Sequence, residues 1–367
     1  MSDAVSQGDP VVAALSSAAA RLVPGGRVVA VEPLGGEPRA AVGRKGAGYA
    51  RPLRVTVQDR EGCRRTLVAR TALPDAFGHD RRADRAAELL LAFDSFASIP
   101  DHVQALDVGV LVPEGARSLA DAGEPYLVTT FAEGQLYADD LRRVAREEVA
   151  QALDLARCDA LARYLARLHR QRLDDPVAWR RAVRDLVGSG EGLFGVADAY
   201  PPEVPGAPAE LLQRIERGAL EWRWRLRPRA ERLRRTHGDF HPFNVVFGDG
   251  TRFTLLDASR GAAGDAADDV TALSVNYLFF GLLAPAAWRG GLGRLWRRFW
   301  ETYLDAAGSR AVLESAAPFL AWRALVLGCP RFYPDAPPAA RAALLGFAAR
   351  ALERPVFDPT AAEALFS

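Results

Sequence analysis

The amino-acid sequence predicts an α+β fold with a small strand-rich N-terminal lobe and a larger, mainly helical C-terminal lobe. Short alternating apolar segments separated by turn signals recur through residues 1–131. Long stretches rich in Ala and Leu, with apolar side chains every three or four positions, dominate residues 132–367. Two lobes of this kind predict a bilobal protein with a ligand-binding cleft between its parts.

Within residues 1–131, helical spacing is found over residues 12–22 and 84–96. Five strands are predicted, over residues 28–31, 54–58, 66–71, 105–112 and 125–131. The second and third of these strands flank the turn signal Asp59–Gly62, so we expect them to pair as a hairpin.

The C-terminal lobe, residues 132–367, is predicted to be helical over residues 146–172, 176–187 and 210–227. Residues 188–208 hold many Gly and Pro residues and are expected to form an irregular insertion. From Asp268 onward the helical pattern returns, with breaks expected at four positions, Pro285, Gly290-Gly291, Pro318 and Pro330.

The composition excludes several classes of protein. Hydrophobic residues make up 49% of the chain and the formal net charge is +1, which predicts a soluble globular protein with no general attraction to nucleic acid or to an anionic membrane. No apolar run approaches the roughly 18 residues needed to span a bilayer. Cys63, Cys158 and Cys329 are far apart and odd in number, so a reducing cytoplasm is the expected location.

A short hairpin with polar residues at its ends is predicted near residue 250. Its apolar strands, Val245–Phe247 and Phe253–Leu256, lie on either side of a Gly-Asp-Gly turn signal. Their pairing brings Asn244, before the first strand, beside Asp257, after the second, with Asp239 on the preceding loop. A carboxamide oxygen and a carboxylate suit Mg²⁺, which takes its other ligands from water and substrate phosphates.

This set of residues matches the needs of phosphoryl transfer. One aspartate orients the acceptor hydroxyl, while an asparagine and a second aspartate hold Mg²⁺ against the phosphates. Asp239 and Asn244 have the Asp-x4-Asn spacing of the protein-kinase signature, and Asp257 stands where the metal-binding Asp belongs. The run His237-Gly238-Asp239-Phe240-His241-Pro242-Phe243-Asn244, followed by Leu256-Asp257, Gly264-Asp265 and Asp269, resembles the aminoglycoside-phosphotransferase and choline-kinase-like family.

The resemblance covers residues 236–270 and implies a protein-kinase-like fold and transfer of the γ-phosphoryl group of ATP to a hydroxyl of a small molecule. It implies Asp239 as the catalytic base, Asn244 and Asp257 as Mg²⁺ ligands, and Asp269 as a structural brace of the catalytic loop. ATP and a small-molecule acceptor are therefore the expected partners, and the oligomeric state is left open.

His237 and His241 lie on either side of Asp239 and are expected to hydrogen-bond the loop backbone and hold its shape. A zinc site formed by the same two histidines is the alternative. It is disfavoured because no third His or Cys follows at ligand spacing.

The residues that would grip the nucleotide depart from the usual pattern. In kinase-like folds a strand lysine contacts the phosphates and pairs with a helix glutamate. Here Arg70 occupies the expected lysine position and Glu88 is the expected glutamate. Arginine is planar and bidentate, so the phosphate geometry must differ. The alternative for Arg70 is an ordinary surface charge on an edge strand.

Two further segments are expected to contact the nucleotide. Lys45, the sole lysine of the chain, lies in the glycine-rich loop Gly43–Gly48. Our hypothesis is that Lys45 reaches the phosphates and partly replaces the strand lysine, the alternative being a solvated loop lysine. In the link after the last N-terminal strand, main-chain groups near Thr130, Phe131 and Ala132 are expected to bind adenine.

The acceptor itself is not identified by the sequence. Acidic residues are sparse between residues 271 and 317, which argues against a polycationic acceptor. Aromatic residues are frequent in the last third and could form a cage for a quaternary amine. Their helical spacing makes core packing the expected role for most, namely Trp288, Trp296, Trp300, Tyr303, Trp322, Phe332 and Tyr333.

Two other functions remain open at this point. A nucleotide-binding pseudokinase with a regulatory role is favoured by Arg70 but disfavoured by the intact Asp239, Asn244 and Asp257 set. A kinase-like enzyme that transfers AMP instead of a phosphoryl group is the other alternative.

Overall fold

The computed structural model describes residues 10–34, 52–74, 79, 82–111, 125–258 and 260–367. These residues form two compact units, the first ending at Glu133 and the second beginning at Gly134. Lys45 and its glycine-rich loop lie outside the described residues.

The first unit is built on a five-stranded antiparallel sheet with the strand order β1-β2-β3-β5-β4. Its strands are β1 Arg27–Pro33, β2 Leu53–Gln58, β3 Arg64–Thr71, β4 Ala105–Val110 and β5 Pro125–Thr130. The predicted hairpin of β2 and β3 is confirmed, with Leu53 opposite Ala69 and Gln58 opposite Arg64.

Two helices belong to this unit, α1 Pro10–Arg21 and α2 Arg82–Phe96. Alternation along β2 buries Val55 and Val57 on one face of the sheet, and α1 packs there through Leu15. The helix α2 contacts β4 and β5. Because one face of the sheet is buried against α1, apolar residues alternate with more exposed ones along β2.

The second unit is mainly helical. Its helices are α3 Tyr137–Glu147, α4 Ala152–Leu168, α5 Pro176–Gly188, α6 Leu193–Asp198, α7 Ala209–Leu226, α8 Ala266–Leu283, α9 Gly293–Ala307, α10 Ala316–Gly328 and α11 Pro338–Leu352. The helix α8 is buried on all sides and contacts α3, α4, α9, α10 and α11. Among the described residues, no helix combines the length and the apolar character needed to cross a bilayer.

Two small antiparallel sheets interrupt the helices of the second unit. One has the order β6-β8-β9, and the other pairs β10 with β7. The strands are β6 Gln135–Leu136, β7 Leu233–Arg235, β8 Val245–Phe247, β9 Phe253–Leu255 and β10 Ala263–Asp265. The predicted hairpin near residue 250 is confirmed, because Val245 pairs with Leu255 and Phe247 with Phe253.

The predicted helix over residues 146–172 is wrong in its boundaries. The chain instead forms α3, which the sequence analysis missed, and then α4. Glu148 ends α3 with a left-handed φ of 58°. A new helix then starts because the carboxylate of Asp154 accepts a hydrogen bond of 2.7 Å from the backbone N–H of Gln151. The predicted helix therefore started six residues before α4 and ended four residues after it.

Three other predicted irregularities differ from the structure. The segment 188–208 contains the short helix α6, which buries Leu193 and Val196. Pro318 does not break a helix, because it lies in the first turn of α10, where an N–H would have no intrahelical acceptor. Gly290 and Gly291 lie in a π-helical turn, Trp288–Leu292, that leads directly into α9.

Candidate functional site

The loop between β7 and β8 carries the predicted catalytic residue and has a conformation that requires glycine. Gly238 has a φ of +84°, and a Cβ atom at this position would lie 2.6 Å from the backbone oxygen of Gly261. The loop then ends in a single 3₁₀ turn, Pro242–Asn244. His241 caps this turn, because its Nδ1 accepts a hydrogen bond of 3.2 Å from the backbone N–H of Phe243.

Asn244 joins the other two residues of the predicted set. Its Nδ2 donates to the backbone oxygen of Asp239 at 3.0 Å, to Oδ2 of Asp239 at 3.2 Å and to the backbone oxygen of Asp257 at 3.3 Å. The backbone N–H of Leu256 donates to the backbone oxygen of Asn244 at 2.9 Å and extends the hairpin pairing. The fold-back of the hairpin therefore brings Asp239, Asn244 and Asp257 together, as the sequence predicted.

Asp257 adopts a backbone conformation that is rare for a residue with a side chain. Its φ is 52°, in the left-handed region. Such a conformation costs about 1–3 kcal/mol and is concentrated at functional sites. The Oδ1 atom of Asp257 is buried. The surrounding structure therefore holds the backbone of Asp257 in this conformation at a free-energy cost.

The donor atoms of this site fit Mg²⁺ better than Zn²⁺. The Nδ2 of Asn244 donates to three oxygens of Asp239 and Asp257, and no described residue donates to its Oδ1. An amide oxygen and a carboxylate suit Mg²⁺, which binds few protein ligands. No group of three or more His, Cys, Asp or Glu in the described part of the chain is arranged to hold a metal, so the zinc alternative for His237 and His241 gains no support.

Asp269, in the first turns of α8, is fully buried behind the loop. Its Oδ2 accepts a hydrogen bond of 2.7 Å from the backbone N–H of His237, and its Oδ1 accepts one of 2.9 Å from that of Gly238. His169, at the end of α4, places its Nε2 3.1 Å from Oδ2. Burial alone would raise the pKa of Asp269, but the hydrogen bonds from His169 and the loop lower it. An ionised carboxylate thus fixes the loop backbone.

His237 is buried and contributes to the same loop. Its Nδ1 accepts a hydrogen bond of 3.2 Å from the backbone N–H of Asp239. Burial lowers the pKa of His237 despite the neighbouring carboxylates of Asp269 and Asp239. A neutral imidazole therefore holds the turn, in the role the sequence analysis expected for this histidine.

Asp239 is contacted by His241 and by two arginines that the motif did not reveal. Nη1 of Arg323 donates to Oδ1 at 2.8 Å, and Nη1 of Arg260 lies 3.6 Å from the same atom. Nε2 of His241 lies 3.4 Å from Oδ2. Burial would raise the pKa of Asp239, but His241, Arg323 and Arg260 together hold it well below its usual range.

Sequence reasoning missed Arg323 and Arg260. Arg323 lies 84 residues beyond Asp239 on α10, where it is the one charged residue of an otherwise apolar helix. A lone charge in a helix predicted to be buried is a signal that could have found it, because arginine is rarely buried without a partner. No comparable signal exists for Arg260, which lies in a turn before β10.

In the first unit, Arg70 lies on β3, opposite Leu127 of β5. The alternative of a charge on an edge strand is wrong, because β3 lies between β2 and β5 in the middle of the sheet. Glu88 lies on α2, with its Oε2 3.4 Å from Nδ1 of His79. Arg70 therefore lies on the sheet, and Glu88 lies on the helix that contacts two strands of the same sheet.

The end of β5 holds the residues expected to bind adenine. The backbone N–H of Thr130 donates to the backbone oxygen of Gln104, and Oγ1 of Thr130 accepts from the backbone N–H of Gln104, both at 3.1 Å. The guanidinium of Arg54 lies 4.2 Å from the centre of the Phe131 ring. Ala132 follows directly, outside the strand.

The aromatic residues of the last third pack in the core, as expected. All seven are buried, namely Trp288, Trp296, Trp300, Tyr303, Trp322, Phe332 and Tyr333. Trp322 differs from the others in its neighbours, because the guanidinium groups of Arg260 and Arg323 lie 4.2 Å and 4.1 Å from its ring centre. These contacts place an aromatic ring beside the cations that face Asp239.

Among solved structures, the amicoumacin kinase hAmiN in complex with AMP-PNP, Ca²⁺ and Ami is 14% identical with a TM-score of 0.54, covering 88% of this chain and 92% of that chain. Choline kinase LicA from Streptococcus pneumoniae is 13% identical with a TM-score of 0.47, and the match covers 92% of this chain and 97% of that chain. A thermostable mutant of aminoglycoside phosphotransferase APH(4)-Ia is 16% identical with a TM-score of 0.47, and the match covers 89% of this chain and 94% of that chain. A search of the curated proteins found no match.

The likeness to the first of these structures confirms the predicted protein-kinase-like fold. Residues 53–308, well over half of the chain, match the phosphotransferase enzyme family. The predicted class of enzyme, a phosphotransferase, is thereby confirmed. The chain belongs to the phosphotransferase enzyme family.

Proposed function

We propose that this protein is a small-molecule kinase that transfers the γ-phosphoryl group of ATP to a hydroxyl group, with Asp239 as the catalytic base. The observation that carries the proposal is the hydrogen bonding of Asn244, which ties the Asp239 carboxylate to the backbone of Asp257. Family membership supports phosphoryl transfer, and the amicoumacin kinase of the same fold, in complex with AMP-PNP, supports ATP as the co-substrate.

Asn244, through its free Oδ1, and Asp257, through its carboxylate, would hold Mg²⁺, which supplies neutralisation of the phosphate charges when bound. The chain contributes the rigidity of this pair. Asn244 is held by three hydrogen bonds, and the backbone of Asp257 is held in the left-handed region.

Asp239 is suited to orienting the acceptor hydroxyl. As the bond between the acceptor oxygen and the γ-phosphorus forms and the bond from that phosphorus to ADP breaks, the hydroxyl proton passes to Asp239. A carboxylate with a lowered pKa is a weak base that is ionised at neutral pH. That property fits a loose transition state, in which positioning matters more than early removal of the proton.

The nucleotide is proposed to bind through Arg70 and Glu88, with Lys45 reaching the phosphates and the main chain at Thr130–Ala132 contacting adenine. The place of Arg70 on the central strand β3 supports this role over that of a surface charge. ATP affinity of Lys45→Ala and Arg70→Ala proteins tests the assignment. We expect weaker binding in both, and unchanged binding in Lys45→Ala contradicts the role of Lys45.

The experiment that tests the proposed reaction uses ATP labelled in either the γ- or the α-phosphoryl group, with Mg²⁺ and a metabolite extract. We expect the γ-label to enter a small molecule and the α-label to remain in ADP. The transfer should disappear in Asp239→Asn and persist in Asp249→Asn, whose carboxylate lies at the hairpin turn and is almost fully exposed.

Other outcomes point to the other functions. Transfer of the α-label with release of pyrophosphate would identify an AMP transferase. Nucleotide binding with no transfer of either label would identify a pseudokinase. If the γ-label is still transferred by the Asp239→Asn protein, Asp239 is not the catalytic base.

A further inference from the structure

Two arginines converge on Asp239 from separate parts of the second unit. Arg323 comes from α10 and Arg260 from the turn before β10. Both also contact Asp268, whose carboxylate accepts hydrogen bonds of 2.9 and 3.0 Å from Nη2 of Arg260. Asp268, like Asp239, is thus already paired with cations, which leaves this pair of carboxylates little attraction for a cationic acceptor.

Trp322 holds both guanidinium groups in place. The two groups lie within 4.2 Å of the centre of its ring, a favourable cation–π distance. The ring is itself fixed, because Nε1 of Trp322 donates a hydrogen bond of 2.8 Å to the backbone oxygen of Glu191. The ring therefore supports both guanidinium groups through contacts that do not involve Asp239 or Asp268.

Arg323 retains donor capacity that the described residues do not use. Its side chain is only 8% exposed, yet its Nε–H has no acceptor within the described part of the protein. The neighbouring Nη2 is 3.4 Å from Oδ1 of Asp268, which is long for a hydrogen bond between charged groups. The Nε and Nη2 groups form the side-on fork with which arginine binds a carboxylate or a phosphate through two parallel hydrogen bonds.

We propose that this fork, assisted by Arg260, binds an anionic group of the acceptor, a carboxylate or a phosphate carried close to the reactive hydroxyl. The proposal rests on the proposed kinase function and adds to it the chemical class of the acceptor. It agrees with the scarcity of acidic residues between residues 271 and 317. It also gives Arg323 a binding role separate from its contact with Asp239.

The test separates a metabolite extract by ion exchange into anionic, neutral and cationic fractions and supplies each with γ-labelled ATP. We expect labelled product from the anionic fraction alone. Treatment of that fraction with a phosphatase beforehand distinguishes the two chemistries, because it destroys a phosphate monoester acceptor and leaves a carboxylate acceptor intact. Product arising from the neutral or the cationic fraction overturns the proposal while leaving the kinase function standing.

Variants of Arg323 tie the result to the fork. Arg323→Gln should raise the KM for the active fraction by about 10- to 100-fold, the usual cost of a lost hydrogen bond to a charged group, and leave the KM for ATP unchanged. Arg323→Lys keeps the positive charge but lacks the fork, so its KM for the active fraction should lie between those of the wild type and Arg323→Gln. A rise in the KM for ATP instead would mean that the arginine serves the nucleotide, and an unchanged KM for the acceptor would also refute the proposal.

Arg341→Gln is the matched control for the loss of a buried arginine. Arg341, on α11, donates to the backbone oxygens of Gly328 and Pro205, so its replacement should lower stability without changing the KM for the acceptor.

Binding of small molecules to the wild-type protein, measured by calorimetry, tests the fork without turnover. The molecules compared are gluconate, glucose phosphate, glucose and glucosamine. Binding of an anion, lost in Arg323→Gln, supports the fork even if no transfer occurs. Binding of glucose or glucosamine alone refutes it.

Discussion

The carboxylate of Asp269 accepts a hydrogen bond from the backbone N–H of Gly238, 31 residues away in the chain, at a distance of 2.9 Å. A second bond from the N–H of His237 uses the other carboxylate oxygen. The loop that presents Asp239 is therefore held from behind by a helix that does not itself take part in the proposed chemistry.

Replacement of Asp269 by Ala should lower both the stability of the loop that carries Asp239 and the kcat of the enzyme. It leaves two buried backbone donors without acceptors, at a cost of about 1–3 kcal/mol each, and it removes the partner of His169 Nε2. A shift of Asp239 by about 1 Å can lower kcat by about 100-fold. Thermal unfolding and steady-state kinetics measure the two effects. Asp305→Ala, an exposed acid on α9, serves as the control, and a wild-type kcat in Asp269→Ala would show that the loop keeps its shape unaided.

Substitution of Gly238 by Ala should be far more damaging than the same change at Gly308. Both glycines have a positive φ, so both substitutions carry the strain of a left-handed backbone, about 1–2 kcal/mol. A Cβ atom at Gly238 would also press against the backbone of Gly261, whereas that of Gly308 would meet open space. Denaturant unfolding and phosphotransfer rates should show the additional loss at Gly238 alone. Equal losses at the two positions would mean that strain, and not contact, decides the choice of glycine.

Arg157 is predicted to act as a clamp on the hairpin that carries Asn244 and Asp257. Its Nε donates to the backbone oxygen of Gly250 at 2.9 Å, and its Nη1 donates to Asp140 at 2.6 Å. Arg157→Met should lower stability by about 3–5 kcal/mol, because it leaves Asp140 buried without its cation. It should also raise the Mg²⁺ concentration needed for half-maximal activity.

The double variant Arg157→Met/Asp140→Leu separates these two effects. Removing both members of a buried ion pair restores much of the stability. It does not restore the hydrogen bonds to the turn, so the Mg²⁺ requirement should stay high. A double variant with the wild-type Mg²⁺ requirement would show that the clamp has no influence on the metal ligands.

Stability should depend on pH through Asp159. Burial alone would raise its pKa, but hydrogen bonds from Arg298 and Thr302 outweigh burial and lower it. A carboxyl with a lowered pKa stabilises the fold above its unfolded pKa of about 3.9, and this contribution is lost as the pH falls through the folded value. The melting temperature of Asp159→Asn should therefore lie below that of the wild type at neutral pH. The difference between the two melting temperatures should become smaller below about pH 4. A difference that stays constant with pH would contradict the stabilising role of the ionised Asp159.

The parts of the protein that the sequence predicted are those fixed by local patterns. The β8–β9 hairpin follows from two apolar segments around a Gly-Asp-Gly turn, and its pairing necessarily brings Asn244 to Asp257. The junction of α3 and α4 escaped prediction because the left-handed backbone that ends α3 belongs to Glu148, and neither glycine nor proline marks this position in the sequence. The lone charge in the apolar helix α10 indicates that Arg323 has a buried partner, but which residue it contacts depends on the packing of α10 and is not given by the local sequence.

The most direct test of the central claim compares Asp239→Asn with Asp249→Asn in a single-turnover assay with γ-labelled ATP, Mg²⁺ and the active acceptor fraction. Both changes remove one carboxylate charge from the same loop and hairpin, but only Asp239 contacts Asn244 and Arg323. We predict that Asp239→Asn slows transfer by about 10²- to 10⁴-fold, the range expected for a general base, while nucleotide affinity is retained. Asp249→Asn should react at the wild-type rate. Equal rates for the two variants would contradict the assignment of Asp239 as the catalytic base.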